Sequence, residues 1–347
     1  MLYKLEEKTL TLKSLTEEKT YQFDLREFNF RDEFGVGAGV FDFGRGRVGF
    51  TYSSLEKRAR FDPNDPPRLY EAGVLLCDLD ANRVTRVEMG EGYHSIAFDP
   101  ADPNVMYLNS GWGPIYSYSV AERKKKKLYG SKQMFIFDIA PSPDGRYLLF
   151  TKNKSDASVL HLFDLQSKTL VCKIGGVYHY GFLSANQAIH SYGGGIKVFD
   201  FDSKKDKLIL SVASVIKRFK GHPAVDQMTQ MINNSDPNRR FNDIDFCRFF
   251  RGRIYFTIAL NLWRGDQPSH AKTLCSVDAD LRDFQTHYHY PAEGFGCFAG
   301  RIHFYGGPQK HVFTVEVRGK DEKRWRDVCD GGTRYQLDLS WLPTLYS

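Results

Sequence analysis

Short runs of alternating apolar and polar residues fill most of the chain, and they recur in groups of four. The third run of a group is the most regular, as in Val159–Leu165 (VLHLFDL) and Gly195–Asp200 (GIKVFD). Alternation with period two is typical of strands, and clusters of Gly, Pro, Asn and Asp separate the runs. Six such groups follow each other at intervals of roughly 40–65 residues. The pattern therefore predicts repeated four-stranded antiparallel units.

Four short strands per repeat are the signature of a β-propeller, in which each repeat forms one blade. The first strand is small or apolar and is expected to line the axis, and the middle strands are expected to pack on the neighbouring blades. The fourth strand is more charged, as in Lys124–Gly130 (KKKKLYG), which suits an outer edge. An aspartate recurs in the third strand, as Asp78, Asp164, Asp200 and Asp278.

These repeats resemble the WD40-like and YVTN-like β-propeller superfamily. The best match is Ile139–Phe150 followed by Val159–Leu165. The Gly-His and Trp-Asp dipeptides of WD40 repeats are absent apart from Gly221-His222, so the resemblance is at the level of the fold. It implies an all-β fold over nearly the whole chain.

The two chain ends are expected to build a shared last blade. Leu2–Leu10 matches Leu162–Leu170 almost position for position, so the N-terminus is predicted to supply third and fourth strands. Arg334–Ser340 is predicted to supply the first strand of the same blade. Such closure removes the open edges of the ring. We therefore predict a single domain over 1–347 that forms a seven-bladed β-propeller, with six blades as the alternative if the ends pair differently.

Long connections are predicted to emerge on one face of the propeller. The links from second to third strands, and those from one blade to the next, share a face that we call the top face. The longest segments there are 55–72, 215–240, 262–270 and 23–35. The segment 215–240 is expected to be partly helical, because Pro223 suits a first helical turn. Its apolar stripe either packs on the propeller or docks a partner; the stripe consists of Val225, Met228, Met231 and Ile232.

Composition excludes several classes of function. The 48 Lys+Arg residues stand against 42 Asp+Glu, and a net charge of +6 is mild for a dedicated polyanion binder. The 6 cysteines lack CxxC or zinc-finger spacing, so we expect free thiols in a reducing, cytoplasmic setting. No apolar run approaches the roughly 18 residues of a transmembrane helix, and the charged N-terminus is unlike a signal peptide. Complete cofactor motifs are absent, and we expect no cofactor.

Aromatic and basic residues near the top ends of strands are the best candidates for a binding surface. Trp112 and Trp263 follow second strands, and Tyr178-His179 opens a first strand. Aromatic and arginine side chains dominate protein interfaces. The primary prediction is a non-catalytic scaffold that binds a protein or peptide partner. The predicted binding residues are Trp112, Lys152, Tyr178, His179, Arg218, Lys220, Trp263 and Arg264.

A propeller hydrolase or lyase with its site at the top of the channel is the alternative. His94 and His179 begin equivalent first strands and would act as general acid or base, together with Glu293. In this alternative, second strands end at equivalent asparagines whose oxygens would suit a divalent metal. Asparagine also favours turns without any metal. The three asparagines are Asn109, Asn153 and Asn261.

The strongest charge run is Arg123–Lys127, which is predicted to lie in a turn between third and fourth strands. Such a run is usually a solvated hairpin. The alternative is contact with nucleic acid or with an acidic membrane surface, for which the only nearby aromatic residue is Tyr129.

Overall fold

The structure is a computed structural model of the 347-residue chain. It describes residues 2–338 with gaps, and for residues 2–6, for parts of several other strands and after residue 286 it describes the backbone alone. The residues outside the description are 1, 7, 14–18, 31–32, 43–44, 56–68, 89–94, 111–112, 132–135, 155–156, 178, 193, 239–240, 251, 265–266, 294–301, 307–310, 317–333 and 339–347.

The described strands form seven antiparallel sheets that follow one another in chain order. The N-terminal sheet has three strands, and a 3-10 helix over Arg26–Phe28 follows it. Its strands are β1 (Leu2–Glu6), β2 (Thr9–Lys13) and β3 (Thr20–Asp24). Sheet 1 contains β4 (Glu33–Asp42), β5 (Arg47–Leu55), β6 (Leu69–Asp78) and β7 (Arg83–Glu88). Sheet 2 contains β8 (Ser95–Phe98), β9 (Val105–Asn109), β10 (Ile115–Ser119) and β11 (Lys124–Tyr129).

The remaining sheets follow the same order. Sheet 3 contains β12 (Ile136–Pro141), β13 (Tyr147–Lys154), β14 (Ala157–Asp164) and β15 (Thr169–Gly175). Sheet 4 contains β16 (His179–Ser184), β17 (Gln187–Tyr192), β18 (Gly195–Asp200) and β19 (Lys205–Ser211), before α1 (Val212–Arg218) and α2 (Pro223–Asn233). Sheet 5 contains β20 (Phe241–Phe250), β21 (Arg253–Arg264), β22 (Gln267–Asp278) and β23 (Phe284–Glu293). The C-terminal sheet contains β24 (Ile302–Gly306), β25 (His311–Glu316) and β26 (Arg334–Asp338).

Each hydrophobic cluster in the described part is shared by two consecutive sheets. Leu10 of the N-terminal sheet packs with Phe50 of sheet 1, and Val74 of sheet 1 packs in one cluster with Leu108 of sheet 2. The same sharing joins sheets 2 and 3, sheets 3 and 4, and sheets 4 and 5. Strands that bury both faces need apolar residues on both, which is why the middle strands are so rich in them. Face-to-face packing of successive sheets is the arrangement of propeller blades.

The recurring aspartate has a structural role at the turn between third and fourth strands. Asp164 Oδ1 accepts hydrogen bonds from the backbone N–H groups of Gln166 (2.8 Å) and Ser167 (2.9 Å). Lys168 then adopts a left-handed conformation with φ of 58°, which closes the hairpin. Aspartates accept turn N–H groups in the same way in sheets 1, 4 and 5, at Asp78, Asp200 and Asp278.

The N-terminal repeat is confirmed as a hairpin, but the partners of the chain ends differ from the prediction. Lys8 has a φ of 69° between β1 and β2, matching Lys168 between β14 and β15. However, β3 adds a third strand to β2. The C-terminal strand Arg334–Asp338 pairs with β25 in the C-terminal sheet, which corrects its assignment to a sheet shared with the N-terminus. Period-two alternation identifies a segment as a strand, but it does not say which of several similar strands that segment pairs with.

The segment 215–240 contains helices, as the sequence predicts, but these helices do not extend across the top face. Ser211 caps α1 by accepting the Ser214 N–H at 3.1 Å, and the Ser214 hydroxyl accepts the Ser211 N–H in return. The chain leaves β19 at the top face. It then runs between sheets 4 and 5 until the Phe219 ring stacks on Phe284 with centroids 4.8 Å apart. Phe284 begins β23, so the tip of the helical hairpin reaches the opposite face.

Candidate functional site

The longest strand pair of the described chain is the hairpin of β21 and β22 in sheet 5, which projects from the top face. Both strands have 12 residues, whereas β17 in sheet 4 has 6. At about 3.3 Å per residue the hairpin extends about 20 Å beyond the end of β17. The segment 262–270, predicted as a loop, is therefore largely strand. Its ladder continues through Trp263, which pairs with Pro268, to Arg264, which pairs with Gln267.

Alternation explains this extension. Leu260 and Leu262 are both buried at 1% exposure, so the apolar face of β21 continues past Asn261. The predicted second strand Ile254–Asn261 is therefore too short by three residues at its end. Trp263 thus lies within a strand rather than after one, and the ladder fixes the backbone at its position.

Sheet 1 also carries long strands toward the top face, whereas sheets 2 and 4 end lower. In sheet 1, β5 has 9 residues and β6 has 10, and they pair as far as Leu55 and Leu69. The ends of the predicted insertion 55–72 are therefore strand, and its middle lies outside the described residues. In sheet 2, β9 has only 5 residues. In sheet 3, β13 has 8 residues and reaches nearly as high as β5. The top face is therefore lower at sheets 2 and 4 and higher at sheets 1, 3 and 5.

Several predicted binding residues belong to sheets 2, 3 and 4, between the hairpins of sheets 1 and 5, by their place in the chain. Lys152 is half-buried in β13, where it pairs with Ile136 and Val159. His179 is the first residue of β16 and pairs with Ser191. Its carbonyl oxygen lies 3.7 Å from the Cys247 Sγ, which connects the inner strands of sheets 4 and 5. Trp112, Tyr178 and His94 lie outside the described residues, as do the side chains of Trp263, Arg264, Glu293 and Asn153.

Arg218 and Lys220 are not brought together with these residues. Both are exposed at the tip of the helical hairpin. The Arg218 Nη1 donates a hydrogen bond to the Leu281 carbonyl oxygen (3.1 Å), in the turn between β22 and β23. That turn lies on the face opposite the top face. The segment 215–240 was expected on the top face because both of its ends lie there. The position of the ends does not determine where the middle of the segment lies.

The three asparagines do not occupy equivalent positions. The sheets can be compared from one reference position, the second-strand residue that pairs with the last residue of the third strand. This reference is Val105 in sheet 2, Tyr147 in sheet 3 and Arg253 in sheet 5. Asn109, Asn153 and Asn261 lie progressively further along their strands from that reference. The three residues are the fifth, seventh and ninth of their strands from that reference, so they differ in height along the propeller.

A different set of polar residues does share one register position, and the sequence analysis missed it. The fifth residue of each second strand, counted from that reference, is polar and buried. These residues are Thr51 (6% exposed), Asn109 (0%), Thr151 (5%), Ser191 (0%) and Thr257 (4%). In sheets 2 to 4 they lie on the same strand face as Tyr107, Leu149 and Ile189, which pack against the following sheet. Counting from the recurrent third-strand residue would have revealed this row.

Buried hydroxyl groups concentrate near the top ends of sheets 2 and 4. The Oγ atoms of Ser95, Ser110 and Ser191 are buried and have no hydrogen-bond partner within the described residues. Ser95 pairs with Asn109 across the ladder, and Ser191 pairs with His179. Buried polar atoms normally have a partner, so such groups point to sites for ordered water or for a polar ligand.

Reactive groups are scarce in the described part of the chain. It contains no group of three or more His, Cys, Asp or Glu side chains placed to hold a metal ion. Burial raises the pKa of the Cys77 thiol to about 12 and also raises the pKa of Cys275. These cysteines are thiols at neutral pH rather than nucleophilic thiolates.

The run Arg123–Lys127 is mostly strand rather than turn. Arg123 alone lies in the turn, with φ of 54°, and Lys124–Lys127 begin β11 at the outer edge of sheet 2. All four lysines are exposed. The structure thus agrees with the predicted fourth strand over Lys124–Gly130 and not with a turn over the whole run.

Comparisons with known proteins show the fold. No family model and no curated protein matches the chain. A solved structure titled as an oligogalacturonate lyase in complex with manganese is 8% identical with a TM-score of 0.53, covering 93% of this chain and 80% of that one. A chain of the mitotic checkpoint complex is 11% identical with a TM-score of 0.54, covering 91% and 80%.

A third solved structure, from a study of two prolyl endopeptidases, is 11% identical with a TM-score of 0.50 and covers 89% of this chain and 51% of that one. At such identities the likeness concerns the fold alone. Together with the successive four-stranded sheets, it identifies the chain as an all-β protein with the β-propeller fold. Neither of the two described α-helices has the length and hydropathy of a membrane span.

Proposed function

We propose that residues 1–347 form a single seven-bladed propeller that acts as a non-catalytic scaffold and binds a protein or peptide partner on its top face. Seven blades are supported by the seven successive sheets. The observation that carries the function is the projecting hairpin of β21 and β22, with Trp263 and Arg264 in its last two pairs. A paired strand orders these positions before binding, which lowers the entropy cost of association.

The proposed docking surface is the part of the top face between the hairpins of sheets 1 and 5. It lies above sheets 2, 3 and 4, where Trp112, Lys152, Tyr178 and His179 occur in the chain. A surface beside the projecting hairpin of sheet 5 suits an extended segment or a loop of the partner, and aromatic and arginine residues are the usual anchors of such contacts. Arg218 and Lys220 are not part of this surface, because they lie at the opposite face.

Binding without catalysis is favoured over the hydrolase or lyase alternative. One structure with this fold is titled as a lyase in complex with manganese. In this chain, however, the register places Asn109, Asn153 and Asn261 at different heights.

We also propose a reducing compartment, the cytoplasm, as the setting of the protein. Cys77, Cys172, Cys247 and Cys275 are free thiols, and three of them are buried. Free buried cysteines behave as small apolar residues and persist where thiols stay reduced.

Shortening the projecting hairpin tests the function. Replacing Trp263–Pro268 by an Asn-Gly turn leaves the Leu262–Ser269 pair intact and closes the hairpin lower down. Quantitative affinity purification from the source cells should show partners whose recovery falls at least about tenfold with the shortened hairpin and with Trp263→Ala.

The matched control is Lys204→Gly, which changes an exposed turn on the opposite face and should retain every partner. Circular dichroism and a thermal melt establish that each variant is folded. Full recovery of all partners by a folded protein with the shortened hairpin would refute the proposal.

A further inference from the structure

The outer edge of sheet 2 is an unusually basic strand. In the described structure β11 pairs on one side only, with β10. Lys124, Lys125, Lys126 and Lys127 are consecutive and exposed, so alternation places two lysines on each face of the strand. The hairpin of β10 and β11 carries these four lysines and Arg123 against a single acid, Glu122.

Protection of an edge strand does not require this much charge. A single lysine is a common device that blocks edge-to-edge aggregation. The outer strand of sheet 4 shows the milder case, because Asp206 separates Lys205 from Lys207. Asp206 also forms an ion pair with Lys197, with Oδ2 and Nζ 3.2 Å apart. The excess of charge on β11 therefore favours a role in attracting an acidic partner.

The described aromatic residues beside β11 do not offer a platform for nucleotide bases. The partly buried Tyr129 ring packs against Phe150 and Phe163 of the core between sheets 2 and 3, with centroids 5.1 Å and 5.5 Å away. The Lys125 Nζ covers the Tyr116 ring at 4.5 Å from its centroid. Binding of single-stranded nucleic acid usually relies on exposed aromatic faces. What β11 offers instead is the hydrogen-bonding backbone of an edge strand flanked by lysines.

We propose that the outer edge of β11 binds an extended acidic peptide segment as an additional strand. Residues on one face of a strand repeat every 6.6–6.8 Å or so, so acidic side chains at alternate positions would lie opposite Lys124 and Lys126. Backbone hydrogen bonds supply affinity in this mode, and the side-chain pairs supply selectivity. The edge is separate from the top-face docking surface and does not depend on it.

The probe is a fluorescent peptide of about eight residues with alternating glutamate and valine, measured by anisotropy with the full chain. The double variant Lys124→Gln/Lys126→Gln should weaken binding by about fivefold or more, since two opposite-charge pairs are lost. The matched control is Lys205→Gln/Lys207→Gln on β19, which removes the same charge from another exposed outer strand and should bind as the wild type does. Thermal melts establish that both variants are folded.

Two further probes separate strand pairing from general attraction of anions. A peptide with proline in place of valine keeps the charge but cannot pair as a strand, and it should bind at least about tenfold more weakly. A single-stranded DNA of similar charge should also bind more weakly than the peptide. Equal loss in the β11 and β19 variants, equal binding of the proline peptide, or tighter binding of the DNA would each overturn the proposal.

Discussion

Two buried histidines couple the stability of this propeller to pH. His190 is 1% exposed, and its Nε2 lies 2.8 Å from Asp206 Oδ1. His161 stacks on Phe150 with ring centroids 5.2 Å apart. Burial lowers the pKa of both imidazoles; Asp206 opposes this effect at His190 without reversing it. Both histidines are therefore neutral in the folded protein at neutral pH.

The sign of the pH dependence follows from these depressed pKa values. Below the ordinary histidine pKa of about 6.5, the unfolded chain binds protons that the folded chain does not. The free energy of unfolding should be steady above about pH 7 and should fall as the pH drops from about 6.5 to 5.5. Urea unfolding across this range, with His161→Gln as the variant that loses part of the fall, is the measurement. A flat wild-type profile, or identical slopes in both proteins, would contradict it.

The row of buried polar residues in the second strands could not be predicted from residue types alone. The recurring aspartates were visible in the sequence, but their function as acceptors of turn N–H groups is a matter of backbone geometry. The sequence predicts that Asn109, Asn153 and Asn261 end second strands at equivalent positions, and the register contradicts this. Register instead groups Asn109 with Thr51 and Thr151, which are buried at the same height. The same residue type near the ends of several strands does not show that these residues share a position in the strand register.

At the scale of elements, the helical hairpin of α1 and α2 forms part of the core. Val225 is fully buried and Met228 is 2% exposed, and both pack with residues of sheets 4 and 5. The sequence predicted the helix from Pro223 and the apolar stripe, and it left open whether the stripe packs inward. The structure assigns the stripe to the core, so the helix is an unsuitable site for docking a partner through that face.

Truncation of the stripe tests this assignment. Met228→Ala removes a buried side chain and leaves a cavity, so it should lower the free energy of unfolding by about 2–4 kcal/mol. Gln227→Ala changes the adjacent exposed residue of the same helix and should stay within about 0.5 kcal/mol of the wild type. Urea denaturation of both variants measures the difference. Equal stability of the two variants would show that the stripe is not buried in solution.

At the scale of the whole molecule, the sequence predicted that neighbouring sheets share a hydrophobic core. It did not predict which strands the two chain ends pair with. Middle strands such as β13 are apolar on both faces, so a neighbouring sheet has to cover each face. The order of the sheets follows from the order of repeats along the chain. The place of Arg334–Asp338 depends on which of several similar strands it pairs with, and period-two alternation alone does not distinguish them.

Contacts between sheets include a polar clamp that joins the segment after the N-terminal sheet to sheet 1. The Arg86 Nη1 donates to the Phe28 carbonyl oxygen (2.9 Å), and its Nη2 donates to Glu71 Oε2 (2.5 Å). The guanidinium carbon lies 5.1 Å from the centroid of the Phe30 ring. Arg86 and Glu71 are only 18% and 14% exposed, so solvent screens this ion pair weakly.

Removal of Arg86 should therefore weaken the attachment of the N-terminal sheet. Arg86→Ala is expected to lower the free energy of unfolding by about 2–4 kcal/mol, because the half-buried Glu71 carboxylate and the Phe28 carbonyl lose this donor. Arg86→Met/Glu71→Leu removes both charges and keeps apolar volume, so it should recover at least about half of that loss. Urea unfolding of the two variants and of Arg86→Met alone measures this. If the double variant is no more stable than Arg86→Met, the loss reflects the contact of the guanidinium with the Phe30 ring rather than the buried Glu71 charge.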